Sequence, residues 1–327
     1  MRGQRIRFTV LAVLMMATML CPLPAGAAAA EGSFDRVLPV TGTVNLQVET
    51  GSGNIEVRTG GSNQVLVHGR IRVNDWFGGN SDEKVKRLEA NPPIQQSGND
   101  IRIGHIDDPE LRHNISINYE VVVPADAQLR SRTGSGNLTV AGIHGTAELD
   151  SGSGGIKISD IGGAVRADAG SGNIDIDRVN GNVHAKSGSG SIRATGIAGG
   201  FDASSGSGNL SLEQTAPGSV HVDTGSGGLE LHGIKGSLEA RAGSGNVHAE
   251  GDPTGAWTVH SGSGTIRLRF PSSAAFDLSA HTSSGSISVN HPLTVQGTVG
   301  RKEVRGKVLS GGVPVEVETG SGNIEIE

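Results

Sequence analysis

The carboxylates Asp150, Asp168 and Asp223 fall at one position of a repeating unit, with Lys186, Ser204, Arg241 and His260 at the same position of other copies. Stacked strands lie about 4.8 Å apart, so Asp150 and Asp168 on adjacent copies would approach the roughly 5 Å at which two carboxyl groups share the work on a glycosidic bond. That would make a carbohydrate-active β-helix enzyme, a polysaccharide lyase or hydrolase. Alternating charges on a solvated sheet account for the same residues through cross-strand pairing. His184 and His221 share another position but stand two copies apart, about 10 Å, too far to hold one zinc ion, and His248 and His260 lie on further copies. No metal ligand set is expected from them. Ser135, Ser153, Ser171, Ser189, Ser207, Ser226 and Ser244 each stand directly between two glycines with no matching column of histidines. They do not form the Gly-x-Ser-x-Gly elbow of a nucleophile and read as a turn device. Trp76-Phe77-Gly78-Gly79 offers the one aromatic pair flanked by glycines, the candidate for an exposed contact. No catalytic residue and no cofactor is expected.

What positions these residues is a repeat. Gly-Ser-Gly begins at Gly134, Gly152, Gly170, Gly188, Gly206, Gly225, Gly243 and Gly262, a spacing of 18 residues with 19 at two steps, and a weaker copy follows at Ser283-Ser284-Gly285. After each corner come apolar residues two apart, such as Ile156/Ile158, Ile174/Ile176 and Leu210/Leu212, with Lys157, Asp175 and Ser211 between them. A second alternating pair follows in the same unit, as in Val165/Ala167, Val183/Ala185 and Trp257/Val259. Period-two alternation in runs this short predicts half-buried strands that can be dry only when copies stack. The expected fold is all-β, a single elongated parallel β-solenoid of about 18 residues per coil with two short strands each, plus a small irregular N-terminal insertion containing a short helix. Phe201, Trp257 and Phe276 fall on the apolar beat and are expected in the core. The corner glycines and the mid-repeat Gly145, Gly163, Gly181, Gly199 and Gly236 are expected to supply positive φ. A nine-residue calcium roll needs Gly-Gly-x-Gly-x-Asp in every turn, and this repeat lacks it.

The chain opens with Arg2, Arg5 and Arg7, continues through an apolar run over 8–20 and reaches the alanines of 25–30. This predicts a secretory signal peptide over 1–30 with cleavage after Ala30. Cys21 follows Thr18, Met19 and Leu20, so a lipid-modified cysteine is not expected, and the mature chain would hold no cysteine. Loss of that segment would leave 24 basic residues against 33 acidic ones, a net charge of −9. Such a balance opposes nucleic acid as a partner, and no stretch of the mature chain is long and apolar enough to span a membrane as a helix. The expected divisions are 31–73 as N-terminal solenoid strands, 74–133 as an irregular insertion or cap with lead-in strands, 134–285 as the regular array, and 286–327 as C-terminal strands. A helix is expected over 81–90, Arg301, Lys302, Arg305 and Lys307 read as a basic loop, and the closing strand Ile324-Glu325-Ile326 is expected to pair inside the chain.

The corner Gly-Ser-Gly-Asn-Ile-x-Ile, the segment Ile115-Ser116-Ile117-Asn118-Tyr119-Glu120-Val121-Val122-Val123-Pro124 and the secretory signal together resemble the bacterial putative-adhesin family of β-strand-repeat proteins of unknown function. The chain is also similar to auto-transporter adhesin head domains. The resemblance implies a secreted or envelope-associated, non-enzymatic β-solenoid that acts as an adhesin-like binding module. The implied partner is a cell-surface glycan or envelope protein, and the implied location is the periplasm, the outer surface or outside the cell. The carbohydrate-active enzyme and a passive envelope scaffold stand as alternatives. Uniformly short turns over 134–262 argue against a walled catalytic cleft.

Overall fold

Strict alternation buries one side of each short strand. In Ile174–Val179, Ile174 and Ile176 are buried while Asp175 between them is exposed. A strand of five or six residues cannot stand alone on two such side chains, and here equivalent strands stack in parallel register. Ile156 pairs with Ile174, Ile174 with Ile192, Ile192 with Leu210 and Leu210 with Leu229 in one sheet. Ala147 pairs with Val165, Val165 with Val183, Val183 with Phe201 and Phe201 with Val220 in the other. The computed structural model describes residues 30–61, 63–74, 80–295 and 300–327. Apart from Ala30, which opens the strand Ala30–Pro39, the expected signal segment lies outside the described residues, as do Trp76 and Phe77.

Among the described residues the chain is all-β apart from one α-helix and a single 3₁₀ turn, with two long, mostly parallel, open-ended sheets of 14 and 15 strands, called sheet I and sheet II below. Sheet I carries the strands that follow Gly-Ser-Gly and sheet II those that precede it. Their inner faces form one continuous core. Phe201, Trp257 and Phe276 lie within it, and Trp257 donates its indole N–H to the Gly236 carbonyl at 3.0 Å. Phe270 packs between Trp257 and Phe276, tilted to both, with ring centroids 5.0 and 4.7 Å away.

The corner glycines are needed for a reason other than the expected one. Of the glycines named for positive φ, only Gly236 has it. At the Gly-Ser-Gly corners a Cβ would instead run into the backbone of the coil below: at Gly172 into the Gly154 carbonyl, at Gly190 into that of Gly172. Close stacking of backbone on backbone excludes the side chain. Positive φ is concentrated at another column, which ends the sheet I strands: Gly142, Asp160, Arg178, Gly196 and Gly233.

Two side-chain ladders tie the corners together. The residue just before each Gly-Ser-Gly is mostly a buried Ser or Thr, whose hydroxyl donates to the second glycine's carbonyl in the neighbouring coil: Ser187 to Gly172 O at 3.0 Å, Ser205 to Gly190 O at 3.0 Å and Ser261 to Gly245 O at 2.9 Å. The same oxygen accepts from its own corner, as Ser187 Oγ does from Gly190 N at 2.9 Å. Outside the corner, Asn54, Asn137, Asn173, Asn209 and Asn246 each accept a backbone N–H of the next coil at 2.8–2.9 Å. Buried polar groups at a sharp bend are thus satisfied.

Stacking order departs from chain order at both ends. Strands Val44–Thr50 and Ile55–Thr59 lie between those of the array, Ala127–Thr133 and Leu138–Ala141, and a coil built later in the chain from Asp100–Ile103 and Ile115–Val123. At the other end Val313–Thr319 and Ile324–Ile326 slot between Trp257–Ser261 with Ile266–Arg269 and Phe276–Thr282 with Ile287–Val289. Antiparallel strands close the stack: Gln64–Val73 and Ala30–Pro39 on sheet I, Ile94–Ser97 on one end of sheet II, and Glu303–Val308 with Leu293–Val295 on the other. Arg305 and Lys307 therefore belong to a strand and not to a loop. The helix Ser81–Ala90 packs Val85 and Leu88 inward, and Glu89 accepts from the Ser33 backbone N–H of the edge strand at 3.0 Å. Packed on the edge strand, the helix covers part of the backbone that would otherwise be open to pairing with other chains.

Candidate functional site

Alternation turns every second residue of a strand outward, so stacking converts the repeat into columns that run along each sheet. On the outer face of sheet II one column reads Arg102, Gln47, Arg130, Glu148, Arg166, His184, Asp202 and His221. Beside it runs Glu49, Arg132, Asp150, Asp168, Lys186, Ser204, Asp223, Arg241 and His260. Asp150 and Asp168 are thus direct register partners.

These carboxylates are committed to cations. Arg132 meets Asp150 at 2.9 Å and Arg166 meets Asp168 at 2.9 Å, although Asp168 Oδ1 is shielded without a partner. Arg130 pairs with Glu148 at 2.6 Å, His184 with Asp202 at 3.2 Å, and His221 with both Asp223 at 2.9 Å and Glu239 at 3.1 Å. His184 and His221 are separated by the Asp202 strand; His184 lies between Arg166 and Asp202, and His221 between Asp202 and Glu239. A ladder of exposed pairs keeps the face polar and nearly neutral while adding little to stability per pair.

Two shallow concavities follow one another along this face. The first, about 650 Å³, is floored by the strands from Ile94–Ser97 to Ala127–Thr133, and its polar rim includes Asn45, Gln47, Gln95, Gln128, Arg102 and Arg130. The second, about 610 Å³, shares Thr146 and Glu148 with the first and continues past Arg166, His184 and Asp202 to His221. Together they make one long polar trough. Asn45 is held by Asp100, its Nδ2 donating at 2.7 Å. The side chains of Gln47, Gln95, Gln128 and Arg102 make no hydrogen bond or ion pair with other described residues. Their donors and acceptors are turned to solvent.

A third recess, about 640 Å³, lies at the N-terminal corner between Glu49, His105, Ile106, Leu111 and Tyr119. Burial, and then the Glu49 charge, push the Tyr119 phenol well above its ordinary range, so it stays protonated, and its hydroxyl has no partner. On the outer face of sheet I, His248 is pushed below the usual imidazole value by burial and then by His232, Arg269 and Arg267. His232 and Glu250 lie in a second outward column of sheet I, beside that of Lys157, Asp175 and Ser211, and were not among the residues expected from the sequence. They stand seven residues after the first glycine of successive corners, Gly225 and Gly243, and aligning that position as well would have found them.

Two open, mostly parallel sheets with corner-stacked glycines and a solvated polar face define a solenoid-like all-β protein. More particularly, the chain belongs to the Toastrack DUF4097 family, whose sequence profile matches residues 37–198 and again 163–327. No curated protein sequence matches it. Among solved structures it is similar to a putative cell adhesion protein from Clostridium sporogenes, 13% identical over 91% of this chain and 99% of that one, with a TM-score of 0.21. It is likewise similar to a putative adhesin from Bacteroides fragilis, 11% identical over 90% of this chain and 97% of that one, with a TM-score of 0.24. Among the described residues no helix is long and apolar enough to cross a membrane.

Proposed function

We propose that this protein is a non-enzymatic, adhesin-like binding module that holds an extended glycan along the outer face of sheet II. The observation that carries the reading is the continuous trough with four unengaged polar side chains, Gln47, Gln95, Gln128 and Arg102, at its N-terminal end. Planar amides present a donor and an acceptor together, which suits neighbouring hydroxyls of a sugar. Guanidinium adds a planar donor fork for ring or carboxylate oxygens. The trough is open along its length, as an elongated polymer requires, and has no wall to exclude water from a reacting bond. The acids that could hydrolyse a glycan are held in ion pairs with Arg132 and Arg166.

In this reading the coil is an 18-residue unit of two short strands, residues 1–30 are a signal removed after Ala30, and the protein acts in the periplasm, on the outer surface or outside the cell. The organisation is 31–73 and 286–327 as N- and C-terminal solenoid strands, an irregular insertion or cap with lead-in strands over 74–133, and the array over 134–285. Trp76 and Phe77 are retained as candidate aromatic contacts. The test is retention of the purified protein on insoluble peptidoglycan, chitin, cellulose and xylan, with the supernatant assayed for reducing sugars. Retention on at least one polymer without sugar release is expected. Released sugar would overturn the non-enzymatic reading, and absence of retention on all four would overturn the glycan reading.

A further inference from the structure

The outer face of sheet I gathers a set of ligands that the rest of the face does not. His232 lies on the strand Leu229–Lys235, and His248 and Glu250 lie two apart on its neighbour Val247–Asp252, so all three project from one side of a rigid parallel pair. One ligand atom from each comes within 4.8 Å of the others. His232 Nδ1 is 3.5 Å from Glu250, the two imidazole rings stand 5.7 Å apart, and Glu230 Oε1 approaches the far side of His232 at 3.2 Å. The cations that face His248 and Glu250 across the next register step are engaged elsewhere. Arg267 donates to Glu325 at 2.8 and 2.5 Å, and Arg269 to Glu327 at 3.2 Å. Glu250 and Glu230 are left with imidazole as their only ion-pair partner among the described residues.

We propose that His232, His248 and Glu250 form a binding site for a divalent transition-metal ion. Two imidazoles and one carboxylate match the preference of zinc, copper and nickel for nitrogen with oxygen, and not that of magnesium or calcium for oxygen alone. Ligand atoms around a four-coordinate zinc ion at about 2.1 Å stand roughly 3.5 Å from one another, a spacing these partly exposed side chains reach by small rotations. Three protein ligands leave the fourth position open. His248 also lines a 490 Å³ hollow with Glu230 and Arg267, so that position faces solvent on the outer surface.

Untagged, metal-stripped protein titrated with Zn²⁺ in a calorimeter tests the site, with Co²⁺ added separately as a visible reporter of the coordination shell. One Zn²⁺ per chain is expected, with affinity reduced at least tenfold by each of His232→Ala, His248→Ala and Glu250→Gln and unchanged by His184→Ala on sheet II. The Co²⁺ absorption bands should vanish in the same three variants. Metal-free circular dichroism melts, expected to match the parent because all three side chains point outward, separate loss of ligation from loss of fold. Absence of Zn²⁺ binding up to millimolar concentration, or binding that the three substitutions leave unchanged, would overturn the assignment.

Discussion

At the scale of single residues, the corner is a contact before it is a turn. A Cβ at Gly172 would overlap the Gly154 carbonyl, whereas one at Gly51 would meet nothing within 4 Å. Gly172→Ala is therefore expected to cost about 3 kcal/mol and Gly51→Ala less than about 0.5 kcal/mol in chemical denaturation. The buried hydroxyl before the corner carries comparable weight. Ser187→Ala strands the Gly172 carbonyl and the Gly190 N–H, for an expected loss of about 1–3 kcal/mol. Ala169 is buried between Ser151 and Ser187 in register, and Ala169→Ser should restore the missing rung and gain about 1 kcal/mol. A gain in denaturation midpoint for Ala169→Ser together with a loss for Ser187→Ala would establish the ladder. Equal midpoints would refute it. Glycine was legible in the sequence as a corner residue, but φ and steric exclusion leave the same letter, and only stacking distinguishes them. The hydroxyl rungs appear in the sequence as Ser or Thr ahead of Gly-Ser-Gly, but nothing local distinguishes a hydroxyl that bonds the neighbouring coil from one turned to solvent.

At the scale of elements, five strands of sheet I end in a bend whose residue adopts a left-handed conformation. Glycine fills Gly142, Gly196 and Gly233, while Asp160 and Arg178 occupy the same column with φ of 56° and 54°. The two side chains pair, Arg178 Nε donating to Asp160 at 2.6 Å, and this bond, opposed by slight desolvation and aided by the Arg178 charge, holds the Asp160 carboxyl below its ordinary 3.8. A carboxylate with a lowered folded-state pKa contributes stability above its unfolded value and loses it as pH falls through the folded value. Asp160→Asn keeps a side chain that tolerates positive φ and removes the charge. The parent should be the more stable protein at pH 7, and the gap should close below about pH 3.8 in paired urea titrations. A gap that is constant with pH would assign the stabilisation to something other than the ion pair. Strand positions and their register followed from period-two alternation, because one face of every strand is buried and a slip would expose it. The bend column could not be read, since Asp and Arg there carry no turn signature as strong as glycine's.

At the scale of the molecule, the ends were the least legible part, because which remote segment fills a coil depends on contacts between residues far apart in the chain. The strand Ile324–Ile326 was expected to pair within the chain, and it does so in an interior slot, with Ile266–Arg269 on one side and Ile287–Val289 on the other. Removal of 313–327 should therefore open the stack between two coils and unfold everything from Phe276 onward. Limited proteolysis of such a truncation is expected to cut across 270–312, whereas simple fraying would leave that region protected. The family profile matches twice with a shared stretch over 163–198, which fits an array whose interior coils are nearly interchangeable while its ends differ. That interchangeability is also why the sequence alone did not point to one binding face: outward columns on both sheets mix charged and neutral residues, and only their stacking reveals a continuous trough on sheet II. The central claim, that this trough is the binding surface, is tested most directly by comparing polysaccharide retention of the parent with two variants. One carries Gln47→Ala, Gln95→Ala, Gln128→Ala and Arg102→Ala on sheet II, and the other Lys157→Ala and Asp175→Ala on sheet I. Retention at least tenfold weaker for the first and unchanged for the second is the predicted result. Retention unaffected by the sheet II substitutions would contradict it.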